Sequence, residues 1–554
     1  MLDSLALTLL PASILVIAAL VVGRCATATS AWRVARAATV MVAVAALAVV
    51  MARVVDGVRA DGLVRLDSVT AVMLALVAIV GWVVVRFSAT YLAGDVHEQR
   101  YAGRMLATLA AVSLVVVSNH LVLLVAAWTA TSVALHGLLT FFGDRPVAVA
   151  VAHKKFLLAR CADACMVGAT IAFWLSFDTF RIDEIAAAAA GAGSLSVGAH
   201  VAIVLVAISA LLKCAQLPFH GWLIQVMEAP TPVSALLHAG VVNLGGFVLL
   251  RFAPVVDLAI GARTLLVVVG VGTAVAASLV MTTRVSVKVA LAWSTCAQMG
   301  FMLMQCGLGL WEMALLHLVA HSLYKAYAFL SAGGTVRQTQ RRRLAPVPAP
   351  QTVRALAAST VLALATTALV GVVWQSLPGT DRLSAGVWVL LGVVALATVP
   401  FAASIGRSAS GRRGLSSIGR MAAVPAVYLV LHEVFAELTL KGANAPIGLL
   451  VITAAGFVTL FVLQVAARSK PDGHLVSRVR PWVYGGLFLD EAFTRLAFTV
   501  APPPKPEARP APLPRPHAVA MVPVATGARR LASAPAEPTP AAAVAAAATG
   551  TDLS

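Results

Sequence analysis

The chain has 554 residues, of which 60% are hydrophobic and only 12% charged, and its mean hydropathy is +0.92. A water-soluble domain of this length does not have so few charged side chains, whereas a protein of many membrane-spanning helices needs about 20 apolar residues for every span. The net charge of +18 does not indicate nucleic-acid binding, because the basic residues recur in short loops between apolar runs and form no single patch.

The first apolar run follows Asp3 and has no basic region before it, so we interpret it as a retained span and not as a cleaved signal peptide. We expect the seventh apolar segment to be broken, which leaves about 13–15 transmembrane helices in an all-α, polytopic membrane protein. About fifteen apolar segments follow one another along the chain, at 5–23, 34–53, 66–88, 103–119, 121–142, 155–177, 198–217, 231–252, 263–282, 287–307, 312–334, 354–376, 386–405, 420–440 and 446–467.

The loops between these segments predict an orientation. Loops after odd-numbered segments carry most of the arginines and lysines, which places those loops in the cytoplasm. The N-terminus is then outside and the C-terminus inside, and we expect the membrane to be the bacterial inner membrane. Residues 475–500 are amphipathic and are expected at the membrane surface or on a partner. From Ala501 onward the chain is rich in proline and alanine, which predicts a disordered tail.

Lys213 is the most informative single residue, because it lies in an apolar run, residues 201–217, that is otherwise nearly without charge. A lysine in hydrocarbon costs about 2.5–3.5 kcal/mol on insertion scales, so a chain that keeps one usually uses it. Pro218 follows five residues later and breaks the helix, and broken helices in membranes line ion or water paths. The combination indicates an ion-translocating element.

Other apolar segments also carry ionisable side chains near their middle. His317, His321 and Lys325 are spaced four residues apart, so they share one helix face and step about 6 Å at a time. Groups that exchange protons near neutral pH at this spacing, with water between them, form a proton wire. Lys213, His238 and Lys288 are further ionisable side chains within the apolar segments.

Several candidates have competing interpretations. Arg160 and Asp163, three residues apart, form either a structural ion pair or part of the pathway. Lys155, Glu228, Glu433 and Glu437 are possible pathway residues, although the last two lie near a helix end and are as readily interfacial.

We expect this chain to hold no metal and no cofactor. A zinc site at His317 and His321 would need a third ligand, and the sequence between them is Leu-Val-Ala. The six cysteines form no Cys-x-x-Cys pair, and there is no Walker loop or Gly-x-Gly-x-x-Gly motif.

Four motifs resemble those of a known family. They are Lys213-Cys-Ala-Gln-Leu-Pro, Ala-Pro-Thr-Pro-Val-Ser-Ala-Leu-Leu-His238, Lys288-Val-Ala-Leu-Ala-Trp and His317-Leu-Val-Ala-His321-Ser-Leu-Tyr-Lys325. Over residues 65–335 the chain resembles the antiporter-like subunits of respiratory complex I and the Mrp-type cation/proton antiporters. The resemblance implies two inverted five-helix repeats with broken helices. It also implies a central hydrated row of charges, which is the predicted proton pathway and runs through Lys213, His238, Lys288, His317, His321 and Lys325. The expected domains are N-terminal helices 1–102, repeats 103–252 and 253–405, C-terminal helices 406–470, an amphipathic segment 471–500 and a tail 501–554.

Two departures limit this resemblance. The family has a glutamate after the tryptophan of the fifth span, which pairs with the lysine of the seventh, and here Thr129 follows Trp128. The second repeat should carry a charge in its own broken helix, and segment 354–376 has none inside it beyond Arg354 at its start. The complex I mechanism therefore cannot be carried over whole.

With these departures, the Glu228-Ala-Pro-Thr-Pro motif and the Lys154-Lys155-Phe sequence, the chain is similar to the membrane subunit of the DAB-type inorganic carbon accumulation complex. That resemblance implies a cation flux, expected to be of protons, that energises a large zinc-binding partner on the cytoplasmic side, which resembles a β-carbonic anhydrase. The chain itself would be a transport subunit without enzymatic activity. The alternatives are a proton-pumping subunit of an NADH–quinone oxidoreductase and an Mrp-type Na⁺/H⁺ antiporter, and both would require the missing glutamate.

Overall fold

The computed structural model describes residues 4–335, 339, 352–380, 382–405, 411–469 and 473–505, and over these it is almost entirely helical. The helices are α1 (Ser4–Gly23), α2 (Ala28–Asp56), α3 (Ser68–Tyr91), α4 (Glu98–Val117), α5 (Leu121–Leu139), α6 (Pro146–Phe177), α7 (Ile182–Ala192), α8 (Val197–Lys213), α9 (Gly221–Gln225), α10 (Thr231–Ala239), α11 (Leu244–Arg251), α12 (Ala253–Leu258), α13 (Ile260–Met281), α14 (Val287–Gly307), α15 (Trp311–Leu330), α16 (Val353–Ser376), α17 (Ala385–Ile405), α18 (Gly411–Ala436), α19 (Ile447–Ser469), α20 (His474–Tyr484) and α21 (Leu489–Val500).

Short 3₁₀ turns and one hairpin complete the described secondary structure. The turns are Val226–Glu228, Val241–Asn243, Ala332–Gly334 and Gly486–Phe488. The hairpin joins α2 to α3 and consists of the antiparallel strands β1 (Arg59–Ala60) and β2 (Arg65–Leu66), with Arg59 opposite Leu66.

Thirteen helical stretches of the described residues are long and apolar enough to cross a membrane, and one of them, Thr231–Arg251, comprises α10, a 3₁₀ turn and α11. Two further helices, the apolar α8 and α15, fall at the predicted seventh and eleventh segments, so helical structure occurs at every one of the fifteen predicted segments. The prediction of an all-α polytopic membrane protein with 13–15 transmembrane helices is therefore confirmed. The repeat and domain boundaries remain predictions, and most of the expected tail, residues 506–554, lies outside the described residues.

The seventh segment is broken, but earlier than the apolar pattern suggested. Helix α8 ends at Lys213 and not at residue 217, and Ala215, with φ at 51°, turns the chain out of helical geometry. Pro218 has no N–H group with which to continue a helix, and α9 begins three residues later. Irregular backbone at membrane depth is tolerated where protein or a cavity surrounds it, and here Cys214, Ala215 and Gln216 are all buried.

Other predicted boundaries also differ from the structure, two of them with consequences for the site. Helix α6 begins at Pro146, nine residues before the predicted start, because a proline is well accommodated at the first helical position. Lys154 and Lys155 therefore lie inside a helix and not at its N-terminus. The amphipathic segment consists of two helices, α20 and α21, and parts of it pack against the membrane helices of the same chain.

The buried core lies around α3–α6, α8, α10, α11, α14 and α15. Helix α13 packs closely against α14 because Gly270 and Gly300 face each other, and a Cβ at either glycine would lie 2.6 Å from the carbonyl oxygen of the other. Helix α14 also packs against α9, which follows the helix break, and against α15. Its polar side chains form hydrogen bonds in the site described next.

Candidate functional site

Lys213 lies at the end of α8 and points into the protein. Its side chain is 6% exposed, and its Nζ donates hydrogen bonds to Thr131 Oγ1 at 2.8 Å, Ser132 Oγ at 3.0 Å and the Trp128 carbonyl oxygen at 3.2 Å. The Nζ also lies 4.1 Å from the centre of the Trp128 ring. Helix α5 thus supplies three oxygens and an aromatic face to one buried ammonium group, which offsets part of the cost of removing it from water.

A second lysine on α6 reaches the same turn of α5. Lys155 Nζ donates to the Ser132 carbonyl oxygen at 2.8 Å, so Ser132 contacts Lys155 through its backbone and Lys213 through its hydroxyl. Arg160 and Asp163 pair at 2.7 Å, as predicted, and the Asp163 carboxylate also interacts electrostatically with Lys213. We call Lys155, Arg160, Asp163 and Lys213 the lysine cluster.

The lysine cluster contains a carboxylate, that of Asp163, although the glutamate of the fifth span is missing. The Asp163 carboxylate lies near the side chain of Thr129, the residue that stands where the resemblance predicts a glutamate. A carboxylate therefore reaches this part of the site from α6, although α5 provides none. From the sequence, Arg160 and Asp163 could form either a structural ion pair or part of the pathway. The structure places this pair near Lys213, the lysine of the seventh segment.

A second buried group, the histidine cluster, consists of His238, His317, His321 and Lys325. His321 Nδ1 contacts Gln298 Oε1 at 2.8 Å and its Nε2 contacts the His238 carbonyl oxygen at 3.1 Å. The rings of His317 and His321 stack at 5.9 Å, as their four-residue spacing predicts. Lys325 is fully buried and donates to the Ser294 hydroxyl and, at 3.1 Å, to the Leu291 carbonyl oxygen.

Helix α14 provides the polar partners of the histidine cluster. His238 Nδ1 contacts Thr295 Oγ1 at 3.0 Å, so Ser294, Thr295 and Gln298 all face this cluster. Their spacing of one, three and four residues places them on one side of a helix. The sequence analysis did not single out these residues, although a polar row on an apolar helix is a signal that could have found them.

Buried polar atoms without a protein partner lie between and beside the two clusters. Among the described residues they include Gln216 Oε1, Ser234 Oγ, His238 Nε2 and Asn243 Oδ1. Nearly all buried polar atoms in proteins bind either protein or ordered water. Gln216 follows Lys213 by three residues, and a Cβ at Gly300 of α14 would lie 3.1 Å from its Oε1. These unpartnered atoms are suited to binding ordered water.

Some predicted pathway residues do not join either cluster. Lys288 is half-buried in the first turn of α14, and no hydrogen bond or ion pair is found for it within the described part of the chain. Glu228 pairs with Arg145 at 2.9 Å, but both side chains are more than 40% exposed, so this pair lies at the surface. Glu437 is exposed and lines a cavity of about 440 Å³, and Glu433 of α18 is half-buried.

The same cavity is bordered by charged residues that the sequence analysis missed. Arg251 donates to Asp67 Oδ2 at 2.7 Å, to Thr70 Oγ1 at 2.5 Å and to the Val116 carbonyl oxygen at 2.8 Å, which ties α11 to α3 and α4. Burial alone would raise the pKa of Asp67, but the guanidinium groups of Arg251 and Arg65 and the hydrogen bonds from Thr70 outweigh it and hold that pKa below its usual range.

A metal would have few ligands in this site. No group of three or more His, Cys, Asp or Glu side chains with suitable geometry occurs among the described residues. His317 and His321 stack on each other at a centroid distance of 5.9 Å, and His321 uses both ring nitrogens for hydrogen bonds to protein. The arrangement suits proton exchange between neighbouring groups, and the absence of metal and cofactor remains a prediction.

Two family models match the chain. The model "NADH:quinone oxidoreductase/Mrp antiporter, TM" matches residues 118–411, which contain both clusters, and "NADH-Ubiquinone oxidoreductase (complex I), chain 5 N-terminus" matches residues 52–102. Among solved structures, the Mrp complex from Dietzia sp. DQ12-45-1b shares the fold with a TM-score of 0.54 at 24% identity, over 90% of this chain and 56% of that one.

Several curated relatives show to which branch of this family the chain is most similar. The chain is 42% identical over 446 residues to the "Probable inorganic carbon transporter subunit DabB" of Hydrogenovibrio crunogenus, which covers 79% of this chain and 83% of that protein. It is 38% identical to the DabB2 subunit of Halothiobacillus neapolitanus, over 79% and 80% of the two chains. NADH-quinone oxidoreductase subunit L of Rhodobacter capsulatus is 34% identical over 49% of this chain and 41% of that one. The chain therefore belongs to the complex I and Mrp antiporter-like family of membrane proteins, in its branch of DabB inorganic carbon transporter subunits.

Proposed function

We propose that this chain is the cation-translocating membrane subunit of an inorganic carbon uptake complex, and that the cation is the proton. The observation that carries the proposal is Lys213, a buried lysine at a helix break whose ammonium group contacts two hydroxyls and a carbonyl oxygen. Membrane proteins keep such a residue, against an insertion cost of about 2.5–3.5 kcal/mol, chiefly where charge moves.

Asp163 acts in this proposal as the counter-charge of Lys213. When Lys213 binds a proton, the nearby carboxylate stabilises the ammonium form, and Arg160 competes for the same carboxylate at 2.7 Å. A carboxylate with two possible cationic partners can shift between them as the charge on Lys213 changes. In this way α6 performs the task that the glutamate of the fifth span performs in the wider family.

The second half of the pathway runs through the histidine cluster. Imidazole groups exchange protons near neutral pH, and His321 contacts both Gln298 and the backbone of His238. Water at the unpartnered atoms of Gln216 and His238 would complete the connection to Lys213. The pathway therefore needs no nucleotide and no redox group within this chain.

The proposed partner is a large zinc-binding subunit on the cytoplasmic side that interconverts CO₂ and bicarbonate. The proposal also places the chain in the bacterial inner membrane with its N-terminus outside. The names of its DabB relatives support a role in inorganic carbon transport, and the basic loops after odd-numbered segments support the orientation.

The test is complementation of cells that lack carbonic anhydrase. We expect the chain, coexpressed with its candidate partner, to support growth in air, and we expect an uncoupler to abolish uptake of labelled inorganic carbon. ATP depletion with the ion gradient held constant should leave uptake intact. Uptake that continues in fully uncoupled cells would refute energy coupling through this chain.

A further inference from the structure

Lys154, the neighbour of Lys155 on α6, is fully buried and surrounded by oxygens from distant parts of the chain. Its Nζ donates to Asp490 Oδ1 at 2.7 Å, Gln225 Oε1 at 2.8 Å and Thr494 Oγ1 at 2.9 Å. Gln225 lies in α9, just after the helix break, whereas Asp490 and Thr494 lie in α21. We call Lys154, Gln225, Asp490 and Thr494 the C-terminal cluster.

Asp490 fits closely against the segment that follows the break. Gln225 Nε2 donates to Asp490 Oδ2 at 2.5 Å, and a Cβ added at Gly221 would overlap the Asp490 carboxylate. Glycine is therefore needed at position 221 for the carboxylate to approach. The aromatic rings of Phe219 and Phe493 pack edge to face at 5.3 Å beside this contact.

Helix α6 links the C-terminal cluster to the lysine cluster along the chain, because it contributes Lys154 to the first and Lys155 to the second. Consecutive residues of a helix point about 100° apart, since a turn contains 3.6 residues. Lys155 accordingly bonds Ser132 in the lysine cluster, while Lys154 bonds Asp490. The broken helix makes the same connection, because Lys213 ends α8 and Gln225 ends α9.

The C-terminal cluster also spans the boundary between the interior and solvent. The Lys154 side chain has no exposed surface, whereas the Asp490 side chain is 16% exposed. A segment that served only to dock could use apolar contacts such as that of Phe493, since replacing a buried ion pair by apolar residues is often neutral or stabilising. A carboxylate that touches both solvent and a buried ammonium group is placed to exchange protons between them.

We propose that Asp490 and Lys154 form the access site of the ion pathway on the side of the helix break, with the proton as the ion that Asp490 exchanges with solvent. This inference rests on the proposed function, because it extends the route that passes through Lys213. It assigns the amphipathic C-terminal segment to the pathway itself. The segment then carries the residue through which protons reach the lysine cluster.

The experiment measures proton flux by the full chain, purified with its partner and reconstituted into proteoliposomes that contain a pH-sensitive dye. A potassium diffusion potential drives the flux. The variants are Asp490→Asn, which keeps the shape and loses the proton-binding group, Asp490→Glu, which restores it, and Lys154→Met. Glu491→Gln is the matched control, because Glu491 is the adjacent carboxylate of the same helix and is exposed.

We expect Asp490→Asn and Lys154→Met each to lower proton flux at least tenfold, Asp490→Glu to retain most of it, and Glu491→Gln to retain all of it. The titratable groups that face Asp490, which are Lys154, His220 and Glu491, all remain in Asp490→Asn. The dependence of flux on external pH should nevertheless flatten in this variant, which a merely structural role would not produce. Hydrogen–deuterium exchange of residues 489–500 should stay unchanged in Asp490→Asn, since Thr494 and Phe493 keep their contacts.

Two results would overturn the inference. One is normal flux in Asp490→Asn, at normal pH dependence, while a Lys213→Met variant loses flux. The other is a loss of flux that appears only together with faster exchange across residues 489–500, which would assign Asp490 to docking alone. Normal flux in Lys213→Met would instead refute the proposed function, so the two failures are distinguishable.

Discussion

Replacing Lys213 by methionine should stop transport while the protein still inserts and folds. Methionine has a similar length and no charge, so it fills the space beside the Trp128 ring without creating a large cavity. It removes the group that binds and releases the proton at the helix break. We expect inorganic carbon uptake to fall at least about 100-fold, since proton transfer by a positioned side chain typically contributes ~10²–10⁴-fold.

The substitution should cost some stability but leave the protein folded. Lys213 makes three hydrogen bonds, each worth about 1.5–3 kcal/mol net when one partner is charged, and the bond to the Trp128 carbonyl oxygen is long at 3.2 Å. Removing the charge regains about 2.5–3.5 kcal/mol on insertion scales. Thr131 keeps a partner, because its hydroxyl already donates to the Trp128 carbonyl oxygen at 2.7 Å. A net loss of roughly 2–4 kcal/mol leaves a folded protein.

The assay compares uptake of labelled inorganic carbon at equal membrane abundance, measured with the partner present. Lys505→Met is the matched control, because Lys505 is an exposed lysine of the same chain. Lys213→Arg separates two mechanisms, since arginine keeps the positive charge but does not release its proton. We expect Lys213→Arg to lose uptake as fully as Lys213→Met does.

Normal uptake in Lys213→Met at equal abundance would remove this residue from the mechanism. Normal uptake in Lys213→Arg combined with loss in Lys213→Met would mean that Lys213 acts as a fixed charge, and proton exchange at this position would be refuted.

Three further outcomes are expected. Lys325→Met should lower proton flux at least tenfold in proteoliposomes, and the double variant with His321→Ala should be little worse, because one interruption of a proton wire suffices; additive losses would contradict the wire. Asp67→Asn should lower the free energy of unfolding by about 3–5 kcal/mol, since it leaves the buried Arg251 guanidinium without its carboxylate. The stabilisation by Asp67 is present above the unfolded-state pKa of an aspartate and is lost as pH falls through its depressed folded-state pKa, so thermal unfolding of the variant should change less in acid than that of the parent. Removal of residues 506–554, which are rich in proline and alanine, should leave partner binding and uptake intact, as copurification and uptake assays would show.

Much of the architecture could be predicted from the chain alone. Long apolar runs predict spans because hydrocarbon thickness sets their length, and helical structure is found at all fifteen predicted segments. Lys213 and Pro218 indicated the helix break because a charge and a missing N–H group are local properties. The contact between His317 and His321 followed from helical periodicity. These features depend on residues within one or two turns of each other.

The tertiary structure alone decided which distant charges meet. Asp163 of α6 interacts electrostatically with Lys213, in place of a glutamate on α5, and nothing in the spacing of these residues predicts that interaction. Lys154 and Asp490 are 336 positions apart, and they meet because α21 packs against the segment that follows the break. Adjacent lysines of α6 serve different clusters because helical geometry turns them apart and the neighbouring helices determine what each one contacts. The pattern of apolar residues thus determined the number of spans and the helix break, whereas helix packing determined the pairing of charges, since such pairing depends on distances in space that no local period encodes.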